Sequence, residues 1–180
     1  MSRFDEIRYI LWPNGPRPNV WAVLDGARDP KIYGAISDSH NIGSCLYAGT
    51  ISHTLERCAP HLVRLEYEDM RLTKRLFENA WGQSWGILLQ SDTSMERLRR
   101  HLRRFLVVED YRGRRLAFRY YDPRVMRVFL PTCATDQLDE IYGPIDCFWT
   151  ESEDASQLLK FRRSSRALVK DRIELRSQTV

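Results

Sequence analysis

The chain has 180 residues, 43% hydrophobic and 29% charged, and a formal net charge of +4. That length holds one domain with a real core and is short for two, and such a composition needs neither metal nor disulfide in order to fold. The mild basic excess permits nucleic acid or an acidic protein as partner and demands neither.

In chain order, Phe4, Ile7 and Leu11 have helical spacing, and the run ends at Pro13, Gly15, Pro16 and Pro18. VWAVLDGA reads as a buried strand over 20–24, stopped by Asp25 and Gly26. DPKIYGAI starts a short helix, with Asp29 suited to the N-cap and Pro30 to the first helical position. A helix-like piece follows GSCLYAGT as far as Cys58, and HLVRLE gives a strand over 61–66. Asp69 is placed to cap a helix over 70–81, and SWGILLQS supplies a strand of the kind buried on both faces.

The most periodic helix comes next. Met95, Leu98, Leu102, Phe105 and Leu106 form one stripe, with Asp92 or Thr93 as cap. Residues 111–114 make a hairpin turn between strands over 107–110 and 115–121. Asp122 and Pro123 then open a helix seated by Val125 and Phe129, with Leu130 as a further seat, a further helix fits 135–142, and GPIDCFWTE and SQLLKFRR give two late strands. The segment 165–180 reads as a basic tail or terminal helix. Strands alternate with helices and hairpins come late, which predicts an α/β (mixed α+β) fold: a single domain over 1–164 with a mixed β-sheet flanked by helices.

Enzyme chemistry finds little support. His40, His53, His61 and His101 show no H-x-x-x-H or H-E-x-x-H spacing, and no G-x-S-x-G, Walker or G-x-G-x-x-G pattern occurs. The single glycine in LDGAR is a weak phosphate signal and a common strand-to-turn signal. Neither a cofactor, a metal nor a small-molecule substrate is expected. Cys45, Cys58, Cys133 and Cys147 lack any C-x-x-C pair, a pattern of reduced, mostly buried thiols. With no signal-peptide pattern at the start, and no run near the ~20 apolar residues of a span, a cytoplasmic chain with no membrane role is expected.

RLRRHLRR at 97–104 and KFRRSSR at 160–166 leave nucleic acid as the alternative partner, although arginine stems on the flanks of an apolar stripe explain the first cluster equally well. WGQSWG at 81–86 is either a packed helix-to-strand corner or an aromatic partner surface. In LAFRYY, Leu116, Phe118 and Tyr120 alternate with Ala117, Arg119 and Tyr121. Arg119 and Arg124 are placed either to brace Asp25 or Asp122, or to meet a partner.

Taken in order, LDGA (24–27), LYAG (46–49), APHLVRL (59–65), WGQSWGILLQS (81–91), HLRRFLVV (101–108), FRYYDPRVMRVFLP (118–131) and GPI (143–145) resemble one family. It is domain of unknown function 4123, the type VI secretion effector chaperones or adaptors, and the resemblance spans about 20–149. It implies a protein without catalytic activity. Such a protein would bind a cognate secreted toxin (the effector) in the producing cell's cytoplasm, stabilise it, and help load it onto the trimeric spike protein. The candidate protein-binding residues are Arg119, Tyr121, Arg124 and Trp85.

Overall fold

In the computed structural model, which describes residues 1–164 and 167–176, the run VWAVLD forms β1 (Val20–Asp25), buried at every position. β1 lies between β3 (Pro60–Leu65) and β4 (Gly86–Gln90), so that Ala22 faces Val63 on one side and Leu88 on the other. β2 (Gly43–Cys45) extends the sheet beyond β3, while β7 (Cys147–Glu151), β8 (Gln157–Arg163) and β9 (Leu168–Glu174) extend it beyond β4. The result is a seven-stranded sheet of order β2-β3-β1-β4-β7-β8-β9.

The mixed α+β class is as expected, but the sheet itself is antiparallel in every pairing rather than mixed. β3 and β4 run the same way, and β1 sits between them in the opposite direction, so no parallel pair forms.

Alternation along β1 explains why its sequence is apolar throughout. Val20, Ala22 and Leu24 join a core beneath α1 (Arg3–Leu11), α2 (Lys31–Ser37) and α4 (Arg71–Lys74), which add Ile7, Leu11, Ile32 and Leu72, with Phe77 just after α4. Trp21 and Val23 join a second core on the other face, beneath α5 (Met95–Arg103), α6 (Pro123–Phe129) and α7 (Thr135–Tyr142). A strand covered on both sides has no polar face to display. Phe77, Phe148 and Phe161 are each at most 2% exposed, and each side chain of this size contributes about 1.5–3 kcal/mol on burial.

Several expectations are corrected. The helix expected over 70–81 is α4 followed by a π-helical turn, Arg75–Asn79, closed by Ala80 N–H donating to Arg75 O at 3.2 Å. The wider turn brings Leu76, Phe77 and Ala80 together into the core. The cap of α5 is Ser94, whose hydroxyl accepts from Arg97 N. Asp92 is instead engaged by Asn19 Nδ2 at 2.9 Å and Arg17 at 3.1 Å. Of the expected seats of α6 and its 3-10 extension, Leu130 is fully buried as expected, Val125 and Phe129 are only half-buried, and Met126 is the other fully buried seat.

The tail or terminal helix expected over 165–180 is corrected for residues 168–174, which form β9 paired along β8 from Arg163–Leu168 to Gln157–Glu174. Residues 165–166 and 177–180 lie outside the described residues. Of the cysteines only Cys147 is buried, and Cys58 is exposed.

Candidate functional site

β5 (Val107–Glu109) and β6 (Arg115–Ala117) form the expected hairpin, turned by Asp110. Its carboxylate accepts from Arg112 N and Arg114 N, both at 2.9 Å, and these bonds together with the Arg114 side chain hold it below the usual carboxylate range. All six strand residues are exposed. The strand expected to reach Tyr121 ends at Ala117, because the chain turns at once: Asp122 N donates to Arg119 O at 3.0 Å. The two-residue alternation is lost there. Tyr120 and Tyr121 are consequently both buried, in the same core.

Below this corner lies an aromatic cluster. Phe118 meets Phe129 edge-on at 4.7 Å, Tyr120 meets Tyr121 at 5.4 Å, and Tyr120 O–H donates to Leu102 O at 3.1 Å. Asp122 caps α6 as expected, accepting from Arg124 N at 2.9 Å and from the Arg124 guanidinium at 2.6 Å. Burial raises the Asp122 pKa, but the Arg124 side-chain and backbone hydrogen bonds, with the charges of Arg124 and Arg119, outweigh burial and hold it low. Arg124 is thus occupied in bracing the cap.

Arg119 reaches back to the end of β1 and pairs with Asp25, which is 1% exposed and also accepts from Ala27 N at 3.2 Å. Gly26 N donates to Ala59 O at 3.1 Å. A Cβ on Gly26 would sit 2.6 Å from that oxygen, so the glycine of LDGA serves close backbone approach. Burial and the nearby Asp25 charge both push the Tyr121 and Tyr47 hydroxyls up, so both remain neutral donors near neutral pH.

Ala27, Tyr47, Arg119 and Tyr121 of this corner line an open groove of about 670 Å³. Its apolar lining includes Ile51 and Leu55 in and beside α3, and Leu106, Val107 and Phe118 in and beside the hairpin, above the fully buried Leu46. Among the described residues its charged lining is Arg103, Arg115 and Arg119, and no described residue contributes a carboxylate to it. Ser52 caps α3 (His53–Cys58), which presents Leu55 and Cys58 to the groove and buries none of its own residues.

Of the four residues singled out in the sequence, the groove brings together Arg119 and Tyr121. Arg124 and Trp85 lie elsewhere. Trp85 is 7% exposed, and its carbonyl accepts from Asp25 N at 2.8 Å. The WGQSWG segment is a packed corner. The buried Glu151 carboxylate accepts from Gly82 N at 2.6 Å and Ser84 N at 2.9 Å, Trp81 Nε1 donates to Ala155 O at 2.9 Å, and a Cβ on Gly86 would run into Val23 O. Burial raises the Glu151 pKa, opposed by those two N–H donors and the charge of Arg127.

Leu55 and Arg115 are not singled out by the sequence, and Arg103 only as one of the basic run at 97–104. They come from a loop-borne helix, the end of α5 and a hairpin, and no local motif links them. On α5 itself, Arg99 donates to Cys45 O and Tyr47 O, Arg100 pairs with Glu96, and Arg104 pairs with Glu140. His101 is buried, bonds Ile141 O at 2.8 Å, and is held low in pKa chiefly by burial. Among the described residues no group of three or more His, Cys, Asp or Glu is placed to hold a metal ion, and no helix is long and apolar enough to cross a membrane.

Sheet and groove together define a mixed α+β protein with helices on both faces of an antiparallel sheet and an open, arginine-lined cleft beside one end of its central strand. A family model described as Domain of unknown function (DUF4123) matches residues 20–140, and the chain belongs to that family. The matched region runs from β1 into α7 and contains every groove residue, whereas GPI at 143–145 falls outside it. Comparison with curated proteins and with solved structures gives no match.

Proposed function

We infer that the chain is a cytoplasmic adaptor or chaperone that binds a cognate type VI secretion toxin and helps load it onto the trimeric spike protein. The observation that carries this reading is the matched family region, which contains the ordered motifs from LDGA to FRYYDPRVMRVFLP. The groove supplies the physical means: apolar side chains such as Leu55 and Val107 left open to water beside arginines. Binding only the export-competent form of the toxin stabilises that form by mass action, by about 2.7 kcal/mol when the adaptor is present at 100 times its Kd.

Nucleic-acid binding is the weaker reading. Arg99, Arg100 and Arg104 are engaged within the protein, and Arg162 and Arg163 pair with Asp171 and Asp139. Co-expression with the toxin encoded beside this gene, followed by size-exclusion chromatography, tests the adaptor reading. Co-elution and a higher soluble yield of toxin are expected. A toxin that elutes alone with unchanged solubility would sink the reading.

A further inference from the structure

Building on the adaptor reading, we propose that the groove between α3 and the β5–β6 hairpin takes an acidic amphipathic helix, which on that reading the toxin supplies. Three observations set this chemistry. First, the groove has exposed apolar residues from two separate elements: Leu55 of α3 is 45% exposed and Val107 of β5 43%, and the half-buried Ile51, Leu106 and Phe118 line it as well. Exposed apolar side chains gathered in one concave place, unlike scattered ones, mark a site of contact.

Second, the charge is one-sided. Arg103 and Arg115 make no side-chain hydrogen bond or ion pair among the described residues, and Arg119 has its one ion-pair partner, Asp25, buried beneath the groove. An arginine so placed holds a carboxylate through two parallel N–H donors. A basic segment would meet like charge here without a compensating carboxylate, and an uncharged apolar one would leave both guanidiniums unused.

Third, the short strands and apolar lining favour a helix over an added strand. β5 and β6 are three residues each, so strand addition to either gains few hydrogen bonds. A groove with apolar residues from two elements instead accepts side chains at i, i+3, i+4 and i+7 of a helix, with acidic positions alongside them reaching the arginines. The walls are largely aliphatic, which disfavours stacked bases.

The test measures binding of the neighbouring toxin to the full chain by biolayer interferometry, with circular dichroism to confirm folding. The variants are Leu55→Asp, the double Arg103→Glu/Arg115→Glu, and Arg172→Glu on β9 as control. Either groove variant is expected to weaken binding about tenfold or more, as loss of an interface anchor does; the control should change little. The wild-type affinity should also fall with salt.

Folded groove variants that bind like wild type would overturn the groove and leave the adaptor reading standing. If the wild-type chain binds no toxin, the adaptor reading fails, and a labelled synthetic helix with leucine on one face and glutamate beside it reads the groove directly. Binding that the double variant abolishes, and that a lysine-for-glutamate twin lacks, supports the proposal. Equal binding of the twins, binding of neither, or displacement of the peptide by duplex DNA overturns it.

Discussion

Replacing Arg119 by alanine removes the guanidinium that pairs with Asp25 and leaves that carboxylate at 1% exposure. Breaking a fully buried ion pair by deleting one partner costs about 3–5 kcal/mol. Two features reduce the figure here. The Arg119 side chain is 45% exposed, so water already screens the pair, and Asp25 keeps the Ala27 N–H at 3.2 Å. We expect a loss of about 2 kcal/mol. At about 2–4 °C per kcal/mol for a chain of this size, that lowers the melting temperature by about 4–8 °C. The assay is thermal unfolding by calorimetry and circular dichroism near neutral pH. Asp25→Asn/Arg119→Ala is measured alongside and should recover part of the loss, since a buried amide costs less than a buried charge. An Arg119→Ala protein that melts within about 1 °C of wild type but binds toxin poorly would refute the bracing argument and assign Arg119 to the interface.

Three further outcomes follow from the same geometry. Gly26→Ala forces a Cβ against the carbonyls of Arg57 and Ala59, backbone that cannot move aside cheaply; chemical denaturation should show a loss of about 1–3 kcal/mol or more. Burial holds the His101 pKa below the ordinary imidazole value of 6.5, so the unfolded chain binds the proton more tightly, and stability present above 6.5 is lost as pH falls through the folded value. His101→Gln, which keeps a donor for Ile141 O, should flatten that part of the melting-temperature profile. Among the thiols, Cys58 is exposed whereas Cys147 is buried with its pKa pushed up to about 11. Iodoacetamide followed by mass spectrometry should therefore label Cys58 in the native protein and Cys147 only on unfolding.

How far the sequence was legible depended on whether its signals were local. VWAVLD, HLVRLE and GILLQ could be read as strands because burial on both faces leaves a short, continuous apolar run. Asp122–Pro123 could be read as a helix start because capping involves neighbours two residues apart. The cap of α5 was missed because Asp92, Thr93 and Ser94 are all competent, and only the distant Asn19 and Arg17 reveal that Asp92 is occupied. LVKDRIE reads as a tail or terminal helix because an edge strand has neighbours on one side only and can carry charge, as Lys170, Asp171 and Arg172 do. The groove was legible only at Arg119 and Tyr121. Its other members come from segments separated in sequence and united by the sheet, as Glu151 is with the WGQSWG corner 67 and 69 residues away.

The corner and the hairpin divide the labour between holding and binding. Arg119, Tyr121, Arg124 and Asp122 are engaged with one another's neighbours, so their loss is read first in stability. Leu55, Arg103, Val107 and Arg115 support little of the fold: α3 buries none of its own residues, and the hairpin is exposed along both strands. A two-stranded hairpin is marginal in water by itself. This one is tethered by Phe118 N–H donating to Leu106 O at 2.9 Å and by the aromatic cluster beneath it. A surface fixed at its base and uncovered along its length can accept an occupant without repacking the core. Variants of the second group should therefore change affinity at nearly constant melting temperature, and variants of the first should do the reverse. If both groups shifted melting temperature and affinity together, the groove would be part of the folding core and the separation argued here would be wrong.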